Sequence, residues 1–161
     1  MKSRNKLAAL IGAGTLAIVS PFVAGWESGG EPRLVAYRDI VGVWTICDGE
    51  TLGVKPGMVE TVEGCEARRY DALLRHAGPV LACTPGLRDR PNQLAAGISL
   101  AYNIGTGTYC RSTVARRFNA ADWRGACDAF LMWNRAGGRI VRGLANRREA
   151  ERRLCLKELP K

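Results

Sequence analysis

Apolar and polar positions fall into distinct regimes along this chain. After "MKSRNK", which carries Lys2, Arg4 and Lys6, comes "LAALIGAGTLAIVSPFVAGW", Leu7 to Trp26, twenty residues without a charge. As a helix that run spans about 30 Å, the thickness of a bilayer's hydrocarbon core. Only nine of the twenty are strongly apolar; Ala, Gly, Thr, Ser and Pro fill the rest. Each small or polar residue replaces a favourable Leu-sized contribution to insertion, so the span is marginal. The basic flank predicts that the N-terminus stays in the cytoplasm and the remainder is exported. Three fates stay open: a signal peptide cut at Trp26, a permanent anchor, or an anchor weak enough to leave the bilayer.

Further on the period changes. "RLVAYRDIVGVWTIC", Arg33 to Cys47, is rich in β-branched and aromatic residues and breaks at "DIVG". This predicts a β-hairpin turning near Asp39 to Gly42. "CDGETLGVKPG" reads as loop, punctuated by Asp-Gly and Pro-Gly. "TVEGCEARRYDALLRHAG" predicts a helix capped by Thr61, with Leu73, Leu74 and Ala77 on its apolar face. After the connector "CTPGLRDRP", "NQLAAGISLAYNIGTG" predicts an apolar helix ending in a Gly-rich loop, and "STVARRFNA" a short one capped by Ser112. "ADWRGACDAFLMWNRAGG" predicts a helix that starts near Asp122 and stops at Gly137-Gly138. "LANRREAERRLCL" closes as a basic helix. One small sheet ahead of a helical majority gives an α+β fold, with room for a cleft between the two parts.

Composition changes this picture in two respects. The chain has 161 residues and a formal net charge of +9, enough for one compact domain with an affinity for anionic partners. Eleven arginines against four acidic residues lie between Arg111 and Arg153. A nucleic-acid partner is disfavoured, since no binding motif accompanies the charge and export removes the opportunity. The six cysteines, at 47, 65, 83, 110, 127 and 155, form no C-x-x-C pair, and His76 is the single histidine. That is a poor zinc pattern, whereas an even, widely spaced set behind an apolar leader fits disulfides in an oxidising compartment.

Candidate chemistry centres on carboxylates near the hairpin. Glycoside hydrolysis needs one carboxylic acid to protonate the leaving oxygen and a second polar group to manage water. Glu27 directly follows Trp26 and would end the first helix, where the negative end of the macrodipole disfavours ionisation. An acid of this kind is expected in an apolar niche. Asp39 and Thr45, on the hairpin, would bracket one water. Glu31, ahead of Pro32 in a Gly-rich turn, is the competing glutamate and reads as a solvated loop residue.

These residues carry a family likeness. "WES…RLVAYRDIVGVWTIC" resembles the Glu/Asp/Thr catalytic stretch of the phage lysozymes, glycoside hydrolase family 24. "AYNIGTG" and "GACDAFLMWNRAGGRIVRGLANRREAERRLC" resemble their C-terminal lobe. Leu7 to Trp26, fused to the catalytic stretch, is similar to the signal-anchor-release subgroup of these endolysins. The resemblance implies a lysozyme-like fold, with a small β-hairpin subdomain and a mainly helical C-terminal lobe over residues 27–161. A signal-anchor-release segment over residues 1–26 precedes it. It implies a monomeric muramidase, independent of metal or cofactor, that cleaves the β-1,4 bond between N-acetylmuramic acid and N-acetylglucosamine in peptidoglycan. The enzyme would be held first at the bacterial inner membrane and then become soluble in the periplasm, for host lysis.

Carried across residue by residue, Glu27 would be the general acid, Asp39 the ionised carboxylate and Thr45 the water holder. Tyr102 and Ser112 match positions lining the sugar cleft, though a core aromatic and a helix cap describe them equally well. The family places eight residues between Glu and Asp; here Glu27 has eleven and Glu31 seven. A three-residue insertion within "SGGEP" keeps Trp-Glu at the helix end and favours Glu27. Glu50 stands where many relatives carry histidine. The likeness also implies the pairs Cys47–Cys65, Cys83–Cys110 and Cys127–Cys155. Two further readings stay open: a secreted lysozyme whose leader is cleaved, and a peptidoglycan-binding protein without catalysis.

Overall fold

A computed structural model describes residues 2–159. Helix α1, Lys2–Ser28, leads into the antiparallel hairpin β1 (Arg33–Arg38) and β2 (Trp44–Cys47), and then α2, Val62–Cys83. There follow α3 (Pro91–Ile104), α4 (Thr106–Cys110), α5 (Thr113–Asn119) and α6 (Trp123–Ala129). A second hairpin, β3 (Arg135–Ala136) and β4 (Arg139–Ile140), precedes α7, Arg142–Cys155. The α+β reading holds, with the small sheet at one end and the helices making the core.

The centre of that core is α3, buried continuously from Asn92 to Ala101. It is packed by α1, α2 and α7. Helix α1 joins through a stripe repeating every four residues, Leu7, Ile11, Thr15, Val19 and Val23, flanked by Leu16, Ser20 and Ala24. The segment apolar enough to cross a membrane is therefore 44% buried within the folded protein. Fully burying a side chain such as Leu7, Ile11, Leu16, Val19 or Val23 stabilises by about 1.5–3 kcal/mol.

Helix α1 is broken at Gly12, whose φ of 80° and ψ of 154° occupy a region essentially closed to residues with a Cβ. Gly14 is different: a Cβ there would meet Pro91 Cβ at 3.9 Å, an ordinary contact. Gly12→Ala is accordingly expected to destabilise the soluble protein by about 1–3 kcal/mol, and Gly14→Ala to leave it unchanged or slightly more stable. Thermal unfolding of the two variants checks this, because both alter the apolarity of the span equally.

The β1–β2 register pairs Tyr37 with Thr45 and Arg38 with Trp44, with a bulge between Arg33 and Tyr37. Behind it Ile46, Cys47 and Cys65 form a satellite core with Leu34, Ala36, Val54 and Met58. The three disulfides are Cys47–Cys65, Cys83–Cys110 and Cys127–Cys155, the pairs the family likeness implies.

Two local expectations are corrected. Gly137-Gly138 does not stop a long helix: α6 ends at Ala129, and Phe130–Trp133 follows as a 3₁₀ turn. The glycines, with φ of 57° and 76°, instead make the two-residue turn between β3 and β4. Such hairpin turns require positive φ at both central positions, which Gly-Gly supplies. Helix α2 also runs past Gly78-Pro79 to Cys83, because Val80 and Leu81 beyond the proline bury into the core.

Candidate active site

Glu27 lies in the last turn of α1, one residue before its end. Its Oε1 accepts from Arg147 Nη1 of α7 at 2.7 Å, and its side chain is 22% exposed. A guanidinium rather than the expected apolar niche thus adjoins this carboxylate. Arg147 is shared: its Nε lies 3.2 Å from Glu151 Oε1, and its Nη2 donates to the Ser99 carbonyl at 3.3 Å. Arg148 completes the cluster, its Nη2 donating to Glu151 Oε1 at 3.0 Å and its Nη1 to Asn103 Oδ1 at 3.0 Å. Arg148 Nε and Glu151 Oε2 are 2.7 Å apart without an aligned hydrogen bond. Both Arg148 and Glu151 are fully buried. Burial pushes the Glu151 carboxyl up from the usual carboxylate range, against the opposing pull of Arg148, Ser99 and Arg147.

Asp39 and Thr45 meet around Val43. Asp39 Oδ1 accepts from the Val43 and Val41 amides at 2.8 and 3.0 Å, while Thr45 Oγ1 donates to the Val43 carbonyl at 3.1 Å. The hairpin turn therefore holds both side chains, and Asp39 Oδ2 makes no hydrogen bond among the described residues. Tyr102, half-buried, stacks against His76 with ring centroids 4.9 Å apart. Burial pushes its phenol well up, and the carboxylates of Glu27, Glu50 and Asp48 add to the effect while Arg75 opposes it. Tyr102 thus shares an electrostatic neighbourhood with Glu27. Ser112 sits elsewhere in the fold as the cap of α5, accepting from the Ala115 amide at 3.1 Å.

Glu31 is exposed in the turn after α1, and its carboxylate makes no hydrogen bond or ion pair among the described residues. Glu50 pairs with Arg75 Nη2 of α2 at 2.7 Å. Sequence reasoning missed the Arg147–Arg148–Glu151 cluster. Its signal was present as carboxylate–guanidinium spacings of three and four residues on α7.

The molecule is thus a helical body joined to a small hairpin lobe, with an acidic side chain where the first helix gives way to that lobe. The sequence model of the phage lysozyme family matches residues 27–151. A SAR-endolysin of Enterobacteria phage P21 is 36% identical over 162 aligned positions, covering 95% of this chain and 94% of that one. Among solved structures, the endolysin from Escherichia coli O157:H7 phage FAHEc1 superposes with a TM-score of 0.77 at 28% identity, over 94% and 96% of the two chains. The active form of P1 phage endolysin Lyz shares the fold at TM-score 0.75, with 23% identity and coverage of 95% and 93%. Its secreted inactive form reaches only 0.52, at 27% identity, over 74% of this chain and 82% of that one. The chain belongs to the phage lysozyme family.

Proposed function

We propose that this protein is a phage endolysin, a muramidase that hydrolyses the β-1,4 bond between N-acetylmuramic acid and N-acetylglucosamine in peptidoglycan. Glu27 donates its proton to the bridging oxygen as the glycosidic bond breaks. Asp39 remains ionised, supports the positive charge developing on the sugar ring and orients the attacking water, which Thr45 holds. Tyr102 lines the sugar cleft beside them; Ser112, occupied as a cap, contributes less directly. Glu27 is preferred to Glu31 because it sits in the last turn of α1 and bonds to Arg147 of the helical body, whereas Glu31 is exposed in the turn beyond.

The same reading covers delivery. Residues 7–26 tether the exported chain in the inner membrane with its N-terminus in the cytoplasm. When the segment leaves the bilayer it docks on α2 and α3, carrying Glu27 to Arg147, and the enzyme becomes soluble in the periplasm. The observation that carries this is the position of Glu27 in the final turn of a helix that is apolar enough to span a membrane yet 44% buried in the folded protein. A catalytic acid cannot serve the cleft while its helix is held in lipid.

Expression in a bacterial host, followed by depolarisation, tests both halves. The expected result is enzyme in the inner-membrane fraction and intact cells, then lysis on depolarisation, with the soluble protein retaining residues 1–25 by mass spectrometry. Prompt lysis at full membrane potential, or a mature N-terminus at Trp26, would sink the release mechanism. Soluble protein that binds peptidoglycan without freeing reducing ends would sink the muramidase.

A further inference from the structure

Two consecutive residues at the end of α1 reach in opposite directions. Glu27 bonds to Arg147 in the helical body at 2.7 Å. Ser28 Oγ donates to Asp48 Oδ1, just beyond β2 in the hairpin lobe, at 2.6 Å. Asp48 is only 3% exposed, and its other oxygen accepts from Arg69 Nη1 of α2 at 2.7 Å. Arg69 Nε in turn reaches Ser20 Oγ of α1 at 3.3 Å. After Ser28 the chain passes into Gly29 and Gly30, both at positive φ, so the residues with the widest backbone freedom lie directly beyond the acid.

We infer that Asp48 is a positioning residue for the hydrolysis, setting through Ser28 the placement of Glu27 relative to the strand that carries Thr45. This rests on the muramidase reading above. Asp48 is three residues from Thr45, and the intervening Ile46 and Cys47 are buried, Cys47 being fixed to α2 by its disulfide to Cys65. The Asp48–Arg69 pair lies wholly outside α1 and forms a rigid, charged receiver. A hydrogen bond to such a carboxylate is shorter and stronger than one between neutral groups. The Ser28 bond therefore ties the acid to the water-holding strand across the junction between the lobes. It complements the Glu27–Arg147 bond, which ties the acid only to the helical body.

Ser20 provides the internal control. Its hydroxyl accepts from Arg69, the other member of that pair, on the same helix about two turns away from the acid. A bond that merely docks α1 would matter equally at either serine, whereas a positioning bond matters at Ser28 alone.

Steady-state kinetics on soluble peptidoglycan fragments test this with Ser28→Ala, Ser28→Thr, Ser20→Ala and Glu27→Gln, alongside thermal midpoints. Ser28→Ala is expected to lower kcat by roughly 10²-fold, the cost of about an ångström of misplacement, at unchanged KM. Ser28→Thr should restore most of the loss, and Ser20→Ala should keep the wild-type kcat. Equal losses at both serines, or a kcat that falls only in step with the thermal midpoint, would overturn the inference. If Glu27→Gln is inactive while Ser28→Ala turns over like wild type, the inference falls and the muramidase reading stands. If Glu27→Gln remains active, the assignment of the acid is at fault and the inference falls with it.

Discussion

Glu27→Gln is expected to suppress the release of reducing ends from purified peptidoglycan by about 10²–10⁴-fold in kcat, the usual contribution of a positioned proton donor. The substitution isolates the proton. A glutamine Oε1 still accepts from Arg147 Nη1, the bond that Glu27 makes at 2.7 Å, so the side chain keeps its place and loses only its acidity. Glu31→Gln should leave the rate unchanged, because Glu31 is exposed in the turn and makes no hydrogen bond or ion pair among the described residues. The reverse pattern, with Glu31→Gln inactive, would move the acid four residues along and place it outside the helix. Arg147, which also pairs with Glu151 at 3.2 Å, donates to Glu27 Oε1 and so aims one oxygen of that side chain.

Glu151→Ala should be the most damaging single change to stability, costing about 3–5 kcal/mol, because it leaves buried charge without a counterpart. Glu151 pairs with both Arg147 and Arg148, and Arg148 forms no ion pair with any other carboxylate among the described residues. Deleting Glu151 leaves one uncompensated guanidinium at a site where Arg148 is fully buried. The double variant Arg148→Met, Glu151→Leu removes the buried pair together and fills the same space with apolar groups, so it is expected to recover most of the loss. Urea unfolding of Glu151→Ala and of the double variant checks this; a double variant as unstable as Glu151→Ala would refute the account.

How legible this was in the sequence depends on the kind of interaction. The β1–β2 hairpin and the Thr61 and Ser112 caps follow from local patterns that tertiary packing did not overrule. The disulfide pairs came from family likeness, since six cysteines alone allow fifteen pairings. Gly137-Gly138 misled because a helix stop and a hairpin turn both call for positive φ, and the short strands Arg135–Ala136 and Arg139–Ile140 are too brief to announce themselves. Arg147, Arg148 and Glu151 were hidden by their own polarity. On a helix this basic, charge reads as solvated surface, and only the fold turns that face towards α3 and Glu27. Ser28 and Asp48 were likewise invisible, because twenty residues separate them and neither belongs to a periodic pattern.

The disulfides have a consequence for how the enzyme is divided. They join β2 to α2, α2 to α4 and α6 to α7, and α1 carries none of the six cysteines. The socket that receives α1 is thus covalently braced at three places, while on the function proposed above the proton donor resides on a helix that no disulfide holds. A lock without its key is merely closed, but this socket without α1 lacks part of its chemistry. On the proposed reading, premature attack on the wall is forestalled by composition, since the piece not yet docked carries the reactive group itself.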